Sequence, residues 1–369
     1  MRNVVLYRGP LERSRVAFLL EAMRSLVPKF DFIWIFPGQL SDERRARFDE
    51  FIAEFGCQHI QVFEDSWRQV FRTRADLRKV LGGEVHLLMA IGFSAKYFIP
   101  KRAARHTIWC INGIPEEEDL TLGRRFDWAP IKWRLTQIGR PDVIITVSTP
   151  MSAQIMRYHR KCRYIVAPTC VDLSVFQGVS RGADVPRQLF GYLGTGADWQ
   201  ALDLLSDLWR AIHLLDPTVR FRVISRDPRT RILATGINPA NIEFVGSEQF
   251  GDVARLLSEC QAGFLLRRAE LVNQVSFPTK LGEYIASGAW VVTSSINWDV
   301  ERFVDENECG IVLNPGQSSE ASACAILDFR DAVSSGRANL DLARAARLLD
   351  REHWVQSTVA AIRSSVPGL

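Results

Sequence analysis

The seven cysteines, at 57, 110, 162, 170, 260, 309 and 324, are odd in number and include no Cys-x-x-Cys pair. That spacing points to neither a disulfide framework nor a zinc knuckle, and it fits a reducing cytoplasm. Long apolar runs are also missing: none approaches the ~20 residues of a membrane span. The strand-like Asn3–Tyr7 that follows Met1-Arg2 is too short for a signal-peptide core. The chain is therefore expected to be cytoplasmic, with any membrane contact peripheral and at the inner face. The six histidines show no ligand spacing, and no Ser/His/Asp order surrounds a nucleophile elbow. There is no Asp-x-Asp on a strand-end loop. The acidic run Glu116-Glu117-Glu118-Asp119 suits a helix start after Pro115 better than a seat for a hard cation, so no metal is expected.

What is present is enough chain for two cores: 369 residues, 47% hydrophobic. Charge is uneven along it. Residues 1–166 carry 27 Lys+Arg against 18 Asp+Glu, a balance of +9, and the remainder balances at −5. A basic first half suits an anionic partner, with a membrane surface or an anionic acceptor favoured over nucleic acid; scattered surface charge is the alternative.

Apolar runs and helical periods alternate. In the first half, Val4–Tyr7, Phe32–Phe36, His59–Val62, His86–Ile91, His106–Asn112 and Asp142–Val147 read as buried strands. Helical runs at Ser14–Leu26, Ser41–Phe55, Asp65–Leu81 and Trp128–Gln137 separate them. A second series starts near Gln188. Its strands are Leu189–Leu193, Arg220–Ile224, Ile242–Phe244, Gly263–Leu266, Trp290–Thr293 and Gly310–Leu313, with helices over Trp199–Leu214 and Gly251–Leu257. This is the order of two doubly wound α/β units. The expected division is an acceptor-side domain over 1–167, a Pro/Gly-interrupted linker over 168–187, a second domain over 188–350, and a C-terminal helix over 351–369 packing back on the first.

The most informative stretch runs from Ser276 to Gly288, Ser-Phe-Pro-Thr-Lys-Leu-Gly-Glu-Tyr-Ile-Ala-Ser-Gly, before the strand Trp290–Thr293. Ser276 can cap a helix, Pro278 suits its first turn, and Gly288 can end it. Helical spacing sets Ser276, Thr279 or Lys280, Glu283 and Ser287 on one stripe, with Leu281 and Ile285 turned away. A helix start with a lysine one turn in makes a seat for a diphosphate, and a carboxylate one turn deeper can accept both hydroxyls of a ribose. The alternative is an ordinary amphipathic helix with a solvated Lys-Glu pair. Gly194-Thr195-Gly196 follows a strand and opens a helix, so its N–H groups can approach a phosphate or a sugar. It is not a dinucleotide fingerprint, since Trp199 stands where the third glycine belongs and no acidic residue follows at the right distance. Arg267 and Arg268 follow Gly263–Leu266 at a C-terminal sheet edge; successive residues diverge, so one is expected on phosphate and one at the surface.

Ser-Phe-Pro-Thr-Lys-Leu-Gly-Glu-Tyr-Ile-Ala-Ser-Gly-Ala-Trp-Val-Val resembles the donor-site signature of retaining glycosyltransferases of family 4. Asp142–Ser148, Val166–Phe176 and Trp109–Glu117 are similar to further passages of that family, and the matches, in order, span roughly 106–313. The resemblance implies a GT-B fold, two Rossmann-like domains facing a cleft, and transfer from a nucleoside-diphosphate sugar with retention. The acceptor would be a glycan, a lipid-linked species or another molecule, in cell-surface polysaccharide or glycoconjugate synthesis. No cofactor is implied, and the diphosphate is held without a metal. It implies donor-binding roles for Glu283, Lys280, Thr279, Ser276, Arg267, Arg268, Gly194, Thr195 and Gly196, with Lys280 and Arg267 stabilising the departing charge. Arg226 falls where similar proteins hold the base. Asn112 and Gly113, and Arg8-Gly9 after the first strand, are the acceptor-side candidates. The family commonly carries a first glutamate eight residues before the second; here that position is Val275, which leaves Asn273, Gln274 or main-chain N–H groups to hold the sugar. Two other readings stay open, a catalytically silent partner protein of the same fold and a sugar-nucleotide epimerase.

Overall fold

The computed structural model describes residues 2–369 except 9–12, 38–39, 66–69, 82–84, 100–102, 116–128, 138–139, 178, 180–187 and 247–249. The chain divides into two compact units, one of residues 1–168 and 352–369, the other of residues 169–351.

The first unit is built on strands β1 (Arg2–Arg8), β2 (Asp31–Pro37), β3 (Ile60–Asp65), β4 (Val85–Ile91), β5 (His106–Ile111), β6 (Val143–Thr146) and β7 (Arg163–Val166). They form one sheet in the order β3-β2-β1-β4-β5-β6-β7, every pair parallel. Continuous apolar runs such as Val4–Leu6 and Leu87–Ile91 are the consequence, because a parallel sheet is covered on both faces. Helices α1 (Arg13–Leu26), α2 (Asp42–Ala53), α3 (Val70–Val80), α4 (Ala129–Thr136) and α5 (Thr149–Met156) form the crossovers.

The second unit has β8 (Leu189–Leu193), β9 (Arg220–Ile224), β10 (Ile242–Val245), β11 (Ala262–Leu265), β12 (Trp290–Ser294) and β13 (Gly310–Leu313), in the parallel order β10-β9-β8-β11-β12-β13. Its helices are α6 (Leu202–Leu215), α7 (Phe250–Ser258), α8 (Leu271–Val275), α9 (Thr279–Ala286), α10 (Trp298–Glu306), α11 (Ser319–Ser334) and α12 (Leu342–Leu348). The chain leaves through α13 (Arg351–Ser365), whose Arg363 donates to the Ser25 carbonyl at 2.8 Å in the first unit. Trp209 on α6 stacks on Phe221 at 4.6 Å and meets Phe264 edge-on at 5.7 Å, which sets that helix against the centre of the sheet.

Three local expectations change. The run Asp65–Leu81 is not one helix: Asp65 ends β3, and the helix spans Val70–Val80. The helix expected over Trp199–Leu214 is interrupted, because Ala201 adopts left-handed backbone (φ 49°) between a 3₁₀ turn at Asp198–Gln200 and α6. Residues 157–162 form turns between α5 and β7, where Tyr158 lies flat on Trp133 at 4.3 Å. Ser276 does not cap α9. The residue before a proline is held extended, so the helix starts only after Pro278.

Candidate functional site

Helix α9 is fixed by its apolar side. The Tyr284 hydroxyl accepts from the Leu193 N–H at 2.9 Å and donates to the Phe264 carbonyl at 3.2 Å, which ties the helix to the ends of β8 and β11. Its ring lies where a side chain on Gly263 would stand, so only glycine fits in β11 there. Burial pushes the phenol well above its ordinary range, and it stays protonated. Thr169 Oγ1 donates to the Phe277 carbonyl at 2.6 Å and steadies the entry. Pro278 occupies the cap position, and Ser276 Oγ donates instead to the Asn273 carbonyl at 3.2 Å, closing α8. The helix ends at Gly288, whose left-handed backbone (φ 81°) turns the chain into β12.

This anchoring presents Lys280 to the loop after β8. Its Nζ donates to Gln200 Oε1 at 2.7 Å and lies 4.9 Å from the centre of the Tyr192 ring. Arg267 Nη1 donates to the same Gln200 oxygen and, at 3.3 Å, to the Trp199 carbonyl. Two cations thus converge on one neutral amide oxygen. Dense surrounding protein and the Arg267 charge hold the Lys280 ammonium well below its ordinary range, opposed by the Glu283 carboxylate. The Arg267 backbone is clamped by Ser294, whose hydroxyl accepts from its N–H at 2.7 Å and donates to its carbonyl at 3.0 Å.

Glu283 lies one turn deeper on α9. Burial raises its carboxyl to about 7, with Lys280 pulling the other way. Among the described residues none donates a hydrogen bond to that carboxyl. The side chain is a hydrogen-bonding group kept available beside a cationic cluster.

The remaining expected donor-side residues are placed differently. Gly194 closes against Lys280, and the Thr195 carbonyl accepts from the Tyr192 hydroxyl at 2.7 Å. The Gly196 N–H donates to Asp227 Oδ2 at 2.9 Å, a carboxylate also paired with Arg229 at 2.6 Å, so this loop is locked from the β9 side. Of the two arginines, only Arg267 joins the cluster; Arg268 is paired at the surface with Asp203 on α6. Asn273 is buried and donates to the Arg268 carbonyl at 3.0 Å, while Gln274 is exposed and reaches the Ala269 carbonyl at 3.4 Å. Both serve the α8 turn. Thr279 is half-buried at the start of α9, and Arg226 is exposed beyond β9, packed against Gly246. In the first unit, Arg8 Nη1 donates to Ser94 Oγ at 2.8 Å and its guanidinium lies 5.5 Å from the centre of the Phe98 ring. Asn112 and Gly113 are half-buried just beyond β5. Gly9 and the run Glu116–Asp119 lie outside the described residues; among the described residues no group of three His, Cys, Asp or Glu side chains forms a metal site.

Sequence reasoning missed Gln200, Tyr192, Ser294 and Asn297. Asn297 Oδ1 caps α10 through the N–H groups of Asp299 and Val300, at 3.0 and 3.1 Å. Its Nδ2 donates to the Gln274 carbonyl at 2.8 Å and to that of Ser276, so it ties the turn before α9 to α10. Asn297 before Trp298 was a cap signal available in the sequence. Gln200 carried none, because its place depends on the left-handed Ala201.

Residues 187–331 match the family model described as glycosyl transferases group 1. Among curated proteins none matches by sequence. Solved structures align over the whole chain at low identity. Sucrose-phosphate synthase from Thermosynechococcus elongatus aligns with a TM-score of 0.68 at 13% identity, covering 98% of this chain and 99% of that one. Anabaena Alr3699/HepE in complex with UDP gives 0.68 at 13%, covering 99% and 100%. An Escherichia coli structure described as trehalose-6-phosphate bound with UDP-2-fluoro glucose gives 0.68 at 10%, covering 99% and 100%. The fold is GT-B, two units of Rossmann-like type each built on a parallel sheet.

Proposed function

We propose that the chain is a glycosyltransferase that moves a sugar from a nucleoside-diphosphate sugar to a glycan, lipid-linked or other acceptor, with retention of anomeric configuration. The observation that carries this reading is the sharing of Gln200 Oε1 by Lys280 and Arg267. The acceptor that Lys280 and Arg267 share is a neutral amide oxygen, and the two basic side chains brought together there suit the charge of a diphosphate. Glu283, one turn deeper, is poised to accept the ribose hydroxyls. The match of 187–331 to the glycosyl transferases group 1 model covers this same unit. UDP is the first nucleotide to try, because HepE is described with UDP and with UDP-glucose.

In the reaction so read, the bond from the anomeric carbon to the leaving phosphate oxygen breaks through an oxocarbenium-like state. The acceptor oxygen bonds to the same face, and its proton passes to the leaving phosphate. Lys280 and Arg267 stabilise the charge that grows on the diphosphate, and no metal is required of them. Cell-surface polysaccharide or glycoconjugate synthesis is the setting that fits a lipid-linked acceptor, with the basic first unit resting on an anionic membrane face.

A second reading, a nucleotide-sugar-binding partner without turnover, is favoured by one observation. Val275 is 3% exposed and packs inward, so that position presents no carboxyl to a sugar. Incubation with a panel of UDP- and other nucleotide sugars, with and without cell lipid extract, separates the readings by mass spectrometry. Acceptor-dependent nucleotide release supports transfer. Binding without release points to the silent partner, and conversion of the sugar nucleotide without acceptor points to epimerisation.

A further inference from the structure

Trp298, the first residue of α10, is 55% exposed, whereas Trp34, Trp109, Trp133, Trp209 and Trp290 are fully buried. Its ring has one neighbour of note. The Arg302 guanidinium lies 5.2 Å from the centre of the indole, and Arg302 is itself paired with Glu306 at 2.7 Å. The guanidinium thus lies over one face of an indole that is more than half exposed. Asn297 sets the distance to the candidate donor site, since it caps the helix that begins with Trp298 and donates to the carbonyls of Gln274 and Ser276. The indole is thus one residue from a side chain bonded to the turn that enters α9.

We propose that Trp298 is a stacking platform for a neutral pyranose ring of the acceptor glycan. The proposal rests on reading the second unit as a nucleotide-sugar site. The apolar C–H face of a pyranose matches a rigid indole, which binds with little loss of side-chain freedom. Local charge argues against an anionic partner: Asp299, Glu301, Asp305 and Glu306 lie on the same helix, against Arg302 alone. A neutral sugar meets no such repulsion. A protein partner is disfavoured too, because the exposed neighbours along α10 are Arg302, Asp305 and Glu306, which leaves Trp298 without the contiguous apolar patch that such an interface needs.

The test is an array of neutral and acidic glycans probed with the fluorescently labelled full chain, as wild type, Trp298→Ala, Trp298→Phe and Lys280→Ala, with UDP affinity of each measured by calorimetry. Expected is wild-type binding to a subset of neutral glycans, lost roughly tenfold or more in Trp298→Ala and kept within about threefold in Trp298→Phe, with UDP affinity unchanged in both. Lys280→Ala is expected to show the opposite pattern, weak for UDP and unaltered on the array. Absence of any glycan signal from the wild type, equal signal from Trp298→Ala, or binding confined to acidic glycans overturns the proposal. Failure of UDP to bind the wild type strikes the donor-site reading and not the platform, because the array reads Trp298 without donor.

Discussion

The ammonium of Lys280 occupies the space that a side chain on Gly194 would fill. Gly194 also adopts a backbone conformation (φ 142°) that other residues rarely take. The Lys280 end is the flexible partner, so Gly194→Ala is expected to displace the ammonium from Gln200 and to strain the loop by about 1–3 kcal/mol. The measurements are a lowered melting temperature and a UDP affinity at least tenfold weaker by calorimetry. An unchanged UDP affinity would separate Lys280 from nucleotide binding.

Gln200→Glu would place a carboxylate between Lys280 and Arg267. It should raise thermal stability, because two crowded cations gain a counter-charge, and it should nearly abolish UDP binding, because that counter-charge takes the place of the diphosphate. Stability and affinity moving in the same direction would contradict the picture of an anion seat.

Glu283→Gln should keep the fold and weaken donor binding by about 1.5–3 kcal/mol, roughly tenfold to a hundredfold, since an amide cannot accept at both ends. The pH dependence gives a sharper sign. Burial raises this carboxyl to about 7, so it is protonated below that pH. A ligand that requires the carboxylate should bind more tightly as pH rises from 6 to 8. Stability of the free protein should respond oppositely: the native state holds a proton that the unfolded chain releases from about pH 4.5 upward, so this group lowers stability as pH climbs to about 7. Both slopes should flatten in Glu283→Gln. Loss of charge from the Lys280 ammonium, held well below its ordinary range, works against the gain in affinity. A wild-type profile without the rising limb would remove Glu283 from the site.

The contrast between Glu283 and Asn273 marks how far the sequence could be read. Lys280 and Glu283 were legible because helical spacing alone puts i and i+3 on one face. The two parallel sheets were legible because buried strands read as continuous apolar runs. Asn273, a sugar ligand by residue type, donates through its Nδ2 to the Arg268 carbonyl, a contact made by a chain reversal that no periodicity encodes. Gln200 was invisible for a related reason. It reaches the cluster only because Ala201 takes a left-handed conformation that its residue type does not advertise.

Lys280→Ala and Arg267→Ala should each lower turnover more than donor affinity, because charge on the departing diphosphate grows towards the transition state. A chelator should leave the wild-type rate little changed. Loss of activity on chelation, restored by a divalent ion, would reverse the metal-free reading and turn attention to Glu116–Asp119.

The basic excess of the first unit should appear as salt-sensitive association with anionic membranes. Residues 157–162 form turns, and the side chains of Arg157, Arg160 and Lys161 are exposed there beside Met156, itself 42% exposed. Arg163 is set apart, with its guanidinium donating to the Ser364 carbonyl at 3.3 Å. Tyr158 lies flat on Trp133, so these turns share a surface with α4, where Ile131 and Arg134 are also exposed. Exposed cations around one or two apolar side chains suit headgroup contact with shallow insertion rather than a spanning segment, and no described helix is long and apolar enough to cross a bilayer. Partition onto vesicles containing phosphatidylserine should fall steeply between about 50 and 300 mM salt, as screening shortens the reach of the charges. Arg157→Glu with Arg160→Glu should abolish it without altering nucleotide affinity, since both lie in the first unit and the cation cluster in the second. Vesicle binding indifferent to salt and to the double reversal would leave a soluble acceptor as the better match to the basic half of the chain.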